Sequence, residues 1–301
     1  MQTFSPIVIF AFNRPDSLKA TIKSLLNNKE ASKSDLYVFV DGPRTNRPED
    51  NANVQLVRDF VQTIKGFKSV TYYFSDINRG LAPSVIGGVT KVMDIHKRAI
   101  VIEDDLFVAP CFLQFMNFAL DKFKNDKQVF QVSGYSPKLK DKFVKSQNAF
   151  LNSRAQCWSW GTWADRWESI DWDVRDYNEL KLNKNLISAF NKHGSDLFNM
   201  LRNYMEGRNS SWYVRFCYAM HKQNKYALCP TRSLVRNDGF NGDGTHCNNY
   251  NRYKIDFDDQ MDKKFNIPAT ITHDKALQKN AIKYWTIPYR LYGKFMTLLF
   301  K

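Results

Sequence analysis

Three acids in a row, Glu103-Asp104-Asp105, follow the apolar run Ile100-Val101-Ile102. Carboxylates this close at the edge of a low-dielectric core repel one another. A divalent cation with hard oxygen ligands would relieve that repulsion. An isolated Glu-Asp-Asp also suits a solvated acidic turn, so the reading depends on what else lies beside it. Three other segments carry suitable residue types: Asn13-Arg14-Pro15, Asp41-Gly42-Pro43-Arg44 and Asn78-Arg79-Gly80-Leu81-Ala82. Acids and arginines gathered together suit a charged ligand held between them, and arginine pairs well with phosphate. Neither G-x-x-x-x-G-K-[ST] nor G-x-G-x-x-G occurs, which speaks against a P-loop or a dinucleotide fingerprint.

Each of these segments follows, or directly continues, a short apolar run: Ile7 to Phe12, Leu36 to Val40, Val70 to Phe74 and Ala99 to Ile102. Amphipathic stretches of helical length separate the runs. In Pro15 to Leu26, for example, Leu18, Ile22, Leu25 and Leu26 recur at helical spacing. Strand–helix alternation with near-continuous apolar strands predicts a parallel α/β sheet. Ligands of such sheets bind at the carboxyl ends of the strands, so the four charged segments are expected on one edge.

A chain of 301 residues with 43% hydrophobic and 25% charged residues is globular, which excludes disorder, collagen and a small disulfide scaffold. The formal charge of +14 suggests a polyanionic partner: nucleic acid, an anionic membrane or a phosphorylated substrate. No recognition helix, RNP-like motif or zinc motif supports a basic nucleic-acid-binding α/β domain, which is the weaker alternative; nucleic acid is not an expected partner. The five cysteines form no C-x-x-C and read as reduced thiols. No basic residue precedes the first apolar run, so no signal peptide is expected. No window approaches the length of a membrane span. These features predict a cytoplasmic protein.

In order, Val8 to Pro15, Phe39-Val40-Asp41-Gly42, Asn78-Arg79-Gly80-Leu81 and Val101 to Leu106, then Cys157 to Trp167 and Pro230 to His246, resemble nucleotide-sugar glycosyltransferases of the GT-A fold. The likeness is greatest to bacterial sugar transferases related to the N-acetylglucosaminyltransferase I family. It implies a mostly parallel central sheet flanked by helices. It also implies one catalytic domain over residues 1–260, with a nucleotide-binding half (about 1–125) and an acceptor half (about 126–260), followed by a tail at 261–301. The implied activity is metal-dependent, inverting transfer from a UDP-sugar to a glycan or lipid-linked acceptor in surface polysaccharide biosynthesis. Arg14 and Asp41 would then sit at the base, the carboxylate accepting from the uracil imide N–H. Glu103 and Asp104 would face the ribose. Asp105, last acid of a DXD-like motif, would hold Mn²⁺ or Mg²⁺ against the diphosphate, with Arg79 or Arg44 supplementing the charge. Asn237 to His246, with three glycines, resembles the family's lid, which would bring His246 to the diphosphate or the metal.

The segment Trp158 to Trp167 carries four tryptophans, of which Trp160, Trp163 and Trp167 share one helical face. A core face is the plain reading, yet tryptophan also makes a platform for sugars. Trp158 and Trp212 are the aromatics expected at the donor or acceptor sugar. Helical patterns run from Leu186 to Glu206 and from Ser211 to Lys222, with Ser210 or Ser211 as cap. A strand is predicted from Tyr226 to Val235. Inverting relatives carry an acid at the start of the second helix as general base, where this chain has Ser211-Trp212-Tyr213. Tyrosine is a poor base at neutral pH. Asp243 is taken as the base, with Asp238 and Glu206 as other candidates; a nucleotide-sugar-binding protein without turnover is the alternative. The basic, aromatic tail suits a helix lying on an anionic membrane, or else packing back onto the domain.

Overall fold

The computed structural model describes residues 4–144, 148–237, 253, 255–260, 264–265, 267–268 and 270–299. The first part alternates strand and helix: β1 (Ile7–Ala11), α1 (Pro15–Leu26), β2 (Asp35–Val40), α2 (Glu49–Thr63), β3 (Ser69–Phe74), α3 (Leu81–His96) and β4 (Arg98–Glu103). Helix α1 starts on Pro15, whose missing N–H has no partner to lose in a first turn. Of the predicted stripe, Leu18, Ile22 and Leu25 are buried, whereas Leu26, at the last position of the helix, is exposed. Next come β5 (Leu106–Val108), α4 (Phe112–Lys122), β6 (Val129–Ser133), α5 (Asp141–Val144), β7 (Ala149–Asn152), β8 (Trp160–Trp163) and α6 (Ala164–Glu168). The last part holds α7 (Tyr177–Leu182), α8 (Lys184–Asn191), α9 (Leu197–Met205), α10 (Trp212–Lys222), β9 (Tyr226–Pro230), β10 (Val235–Asn237), α11 (Lys275–Ala281) and α12 (Ile287–Leu299).

Eight strands form one central sheet in the order β3-β2-β1-β4-β8-β6-β9-β7. The first four are parallel, as predicted. Strand β8 then runs antiparallel to both β4 and β6, so the second half is mixed. Both faces of the sheet are covered. Ile7, Ile9 and Ala11 of β1 join one core with α1, α2 and α4, while Val8 and Phe10 join the other with α3 and α10. Burial on two faces explains the near-continuous apolar strands. A second, two-stranded pairing sets Asn237 of β10 opposite Leu106 of β5.

The tryptophan stripe is not a helical face. Trp160 and Trp163 lie on β8, where three-residue spacing points side chains to opposite faces. They enter the two separate cores, and only Trp167 is on a helix. Nor is Leu186 to Glu206 one helix. It breaks between α8 and α9 at Gly194, where a Cβ would overlap the guanidinium of the buried Arg154. Ser211 caps α10 by accepting from the Val214 N–H, as expected. The predicted strand from Tyr226 to Val235 is two strands, β9 and β10, with a turn between them. The four cysteines among the described residues are unbridged, and no described helix is long and apolar enough to cross a membrane.

Candidate active site

Because β3, β2, β1 and β4 are parallel neighbours, the loops leaving their carboxyl ends meet on one edge. The Asp41 carboxylate ties the loop after β2 to the loop after β3. Its Oδ1 accepts from the N–H groups of Gly42 (3.0 Å) and Arg79 (2.9 Å), and its Oδ2 from Gly80 (2.9 Å). Asn78 donates to the Gly42 carbonyl at 2.8 Å, closing the same contact. Residue 42 must be glycine here, since a Cβ would lie 2.5 Å from the Ile77 carbonyl carbon. Asp41 therefore shapes the loop first, and only Oδ2, with one N–H partner, retains a lone pair for a ligand. The Arg79 side chain is exposed on the same loop. Arg44 is committed elsewhere: its Nε and Nη2 donate to the buried Asp50 at 2.5 and 2.8 Å, and its guanidinium lies over Phe12. Asn13 also donates to Asp50, at 2.8 Å. The Arg44 guanidinium holds the Asp50 carboxyl down at about 2. No sequence pattern marks Asp50, which lies in the first turn of α2.

Arg14 lies on the acid triplet. Its Nη1 donates to Asp105 Oδ2 at 2.9 Å and its Nη2 to Asp104 Oδ1. Thr21 of α1 fixes the turn by donating to the Asp104 carbonyl at 2.9 Å. One guanidinium thus faces three carboxylates. Burial pushes the Glu103 carboxyl up, and the charges of Asp105 and Asp104 add to this. Burial likewise raises Asp104 to about 6, against the pull of Arg14. Burial lowers the Arg14 pKa, but the two aspartates outweigh it and raise the guanidinium above its usual range. Asp104 Oδ2 and Asp105 Oδ1 are buried with no hydrogen-bond partner. Buried carboxylate oxygens with unused lone pairs fit a hard divalent cation. No group of three metal-ligating side chains occurs among the described residues, so oxygens of a bound ligand would have to complete the coordination.

Beside the triplet runs the turn from Cys157 to Ser159, which leads into β8, the antiparallel neighbour of β4. Burial pushes the Cys157 thiol up, and the charge of Glu103 adds to it. Ser159 holds φ at 52°, a backbone costing about 1–3 kcal/mol for a non-glycine residue. The Gly134 N–H and the Ser133 hydroxyl both donate to its carbonyl, at 3.3 Å, and hold it there. The partly exposed Trp158 is edge-on to Tyr135 at 4.8 Å and to Tyr253 at 5.6 Å. Neither tyrosine stood out in the sequence, because their neighbours come from distant segments. Trp212 corrects an expectation: it is 3% exposed, packed against Trp160 and Phe216 in the core, and offers no face to a sugar. Asp243 and His246, expected as base and as metal or diphosphate contact, lie outside the described residues, as does Asp238. The chain enters that segment from Asn237, beside the triplet.

Over 229 residues the chain is 26% identical to an alpha-1,3-mannosyl-glycoprotein 2-beta-N-acetylglucosaminyltransferase of Arabidopsis thaliana, an alignment covering 66% of this chain and 50% of the relative. The chain thus spans about half the length of that protein. No protein-family model matches. Likeness to solved structures is looser. A mannosyltransferase from Pyrobaculum calidifontis in complex with GDP-Man and Mn²⁺ shares 13% identity at a TM-score of 0.38, covering 55% of this chain and 46% of that one. A UDP-glucose pyrophosphorylase complexed with UDP-glucose shares 9% at 0.37, covering 76% and 91%. In its sequence motifs and in the relative it aligns with, the chain resembles the GT-A nucleotide-sugar glycosyltransferases, and among them the N-acetylglucosaminyltransferase I family.

Proposed function

We propose that this chain is a metal-dependent glycosyltransferase that moves a sugar from a UDP-sugar to a glycan or lipid-linked acceptor, with inversion, in surface polysaccharide synthesis. The observation that carries the reading is the edge between β1 and β4, where one arginine faces three carboxylates and two buried carboxylate oxygens lack partners. Asp105, with Asp104 beside it, would hold Mn²⁺ or Mg²⁺. When bound, that cation would supply Lewis-acid stabilisation of charge developing on the leaving diphosphate. The chain's own residues orient the pieces. Arg14 pins the two aspartates, Asp41 sets the loop that meets the uracil, and Arg79 adds a flexible cation. Glu103 faces the ribose, and the partly exposed Trp158 offers its ring to the sugar.

The acceptor hydroxyl needs a base, and the start of α10 does not provide one. Tyr213 donates its hydroxyl to the Ala155 carbonyl at 2.8 Å and accepts from Arg154 Nε at 2.9 Å. Burial holds its pKa well above the usual value despite the nearby arginine. Asp243 is therefore our choice of base, with His246 beside the diphosphate. The test is release of UDP from a panel of UDP-sugars with Mn²⁺ and a lipid-linked or oligosaccharide acceptor. The proposal expects acceptor-stimulated release, at least about 100-fold lower in Asp243→Asn, as removal of a general base predicts. UDP binding without release in the parent would leave a nucleotide-sugar binder in place of an enzyme.

A further inference from the structure

Residues 275–301 contain Lys275, Lys279, Lys283, Arg290, Lys294 and Lys301 and no acid. Physically the segment has two parts. The first packs back onto the domain. Gln278 accepts from the Ser153 N–H at 3.0 Å and donates to the Ser153 hydroxyl at 2.7 Å. Tyr284 and Trp285 are buried, and Tyr284 donates to the Lys138 carbonyl at 2.9 Å. Helix α12 differs. Among its described side chains and backbone, Gly293 is the buried position, whereas Ile287, Leu291, Phe295 and Leu298 are 61, 61, 58 and 69% exposed. At about 100° per residue, these four fall within an arc of about 80°. Exposed Lys294 borders that arc, and exposed Tyr292 extends it on the other side. At the root of the helix Lys283 stands close to Lys138 and Lys140, with burial and then those two charges lowering its pKa.

We propose that α12 lies in the plane of an anionic lipid surface, its apolar arc in the headgroup–acyl boundary and the surrounding lysines against lipid phosphates. Thirteen residues are too few to span a bilayer but enough for an interfacial helix. The charge pattern selects this occupant. A second copy lying antiparallel on the arc would bring Lys294, near the middle of the helix, against its own counterpart. A nucleic acid would neutralise the lysines and leave the arc in water. An anionic membrane satisfies both halves at once. This surface does not depend on the donor chemistry proposed above.

The test is sedimentation of the full chain with phosphatidylcholine vesicles, with and without phosphatidylglycerol, across a salt series. Binding is expected only with phosphatidylglycerol and should weaken as salt rises. The double variant Lys140→Gln/Lys294→Gln should bind about 30-fold more weakly, from about fivefold per basic residue near such a surface. Leu291→Ser/Phe295→Ser, at exposed positions that leave the thermal midpoint unchanged, should lose sedimentation at every salt concentration. Equal sedimentation with neutral vesicles, or parent-like binding by the Leu291/Phe295 variant, would overturn the proposal. So would a dimer in solution that the same variant dissociates, which would assign the face to a second copy.

Discussion

Two arginine–aspartate clusters, one in each half of the molecule, use the same groups in opposite ways. Arg154 is 2% exposed and binds Asp196 through two parallel bonds of 2.8 and 2.9 Å, with Nε taken by Tyr213 and the ring of Trp285 4.8 Å away. Neither partner retains an unsatisfied buried atom. Burial raises the Asp196 pKa, but the arginine's charge and hydrogen bonds outweigh it and leave it lowered. Arg14 is 24% exposed, serves two aspartates at once, and leaves a buried oxygen unpartnered on each. A closed pair ties loops together, while an open cluster with spare acceptors is suited to receive a ligand. Satisfaction of the last lone pair, more than residue type, separates a strut from a site.

Breaking the strut should give the largest effect. Arg154→Met leaves Asp196 buried and unpaired, a loss of about 3–5 kcal/mol, or a fall in thermal midpoint of about 5–8 °C for a chain of this length. Gly194→Ala should act in the same direction by displacing the guanidinium. A midpoint within about 2 °C of the parent for both variants would show that the closed pair contributes little.

Asp41 sharpens the comparison, because it ties two loops together and still keeps a lone pair on Oδ2. Asp41→Asn weakens charge-assisted bonds worth about 1.5–3 kcal/mol, so uridine nucleotides should bind about 10- to 150-fold more weakly. If Asp41 reads the base, cytidine nucleotides lose much less. If it only shapes the loop, both weaken alike, and competition titrations distinguish the two.

A smaller, graded effect is expected with pH on the strut side. His193, bonded to Ser153 at 2.7 Å and to His221 at 3.0 Å, is held at about 4 by burial, with His221 and Arg154 adding to it. Between that value and the ordinary 6.5, the unfolded chain binds a proton that the folded chain does not. Stability therefore rises with pH across this window and is lost as pH falls through it. His193→Gln should flatten the midpoint against pH between about 6.5 and 4; a slope equal to the parent's would assign it to other groups.

The same contrast explains what the sequence made legible. The four parallel strands, α1 and the Ser211 cap are written in local patterns: apolar runs, helical spacing, a proline and a serine at helix starts. The triplet and the strand-end loops followed, because a parallel sheet delivers its strand ends to one edge. Contacts between distant residues were not legible. Arg14 meets Asp105 91 positions away, and Arg154 meets Asp196 42 away. The spacing of Trp160, Trp163 and Trp167 fits a helix, but β8 is a strand because β4 and β6 flank it, which no local pattern records. Trp212 suits a sugar platform by sequence because aromatic residues at a cap look alike whether they face solvent or the core.

The central claim is that the open cluster at the ends of β1 and β4 is a cation-dependent donor site. Calorimetric titration of UDP into the parent and into Asp105→Asn, with Mn²⁺ and then with EDTA, tests it most directly. The account predicts Mn²⁺-dependent binding in the parent and at least about 100-fold weaker binding in the variant, since a metal contact of this kind is worth several kcal/mol. The variant should keep a parent-like thermal midpoint, because it also relieves repulsion within the triplet. UDP affinity unchanged by EDTA, or equal in Asp105→Asn, would contradict the claim.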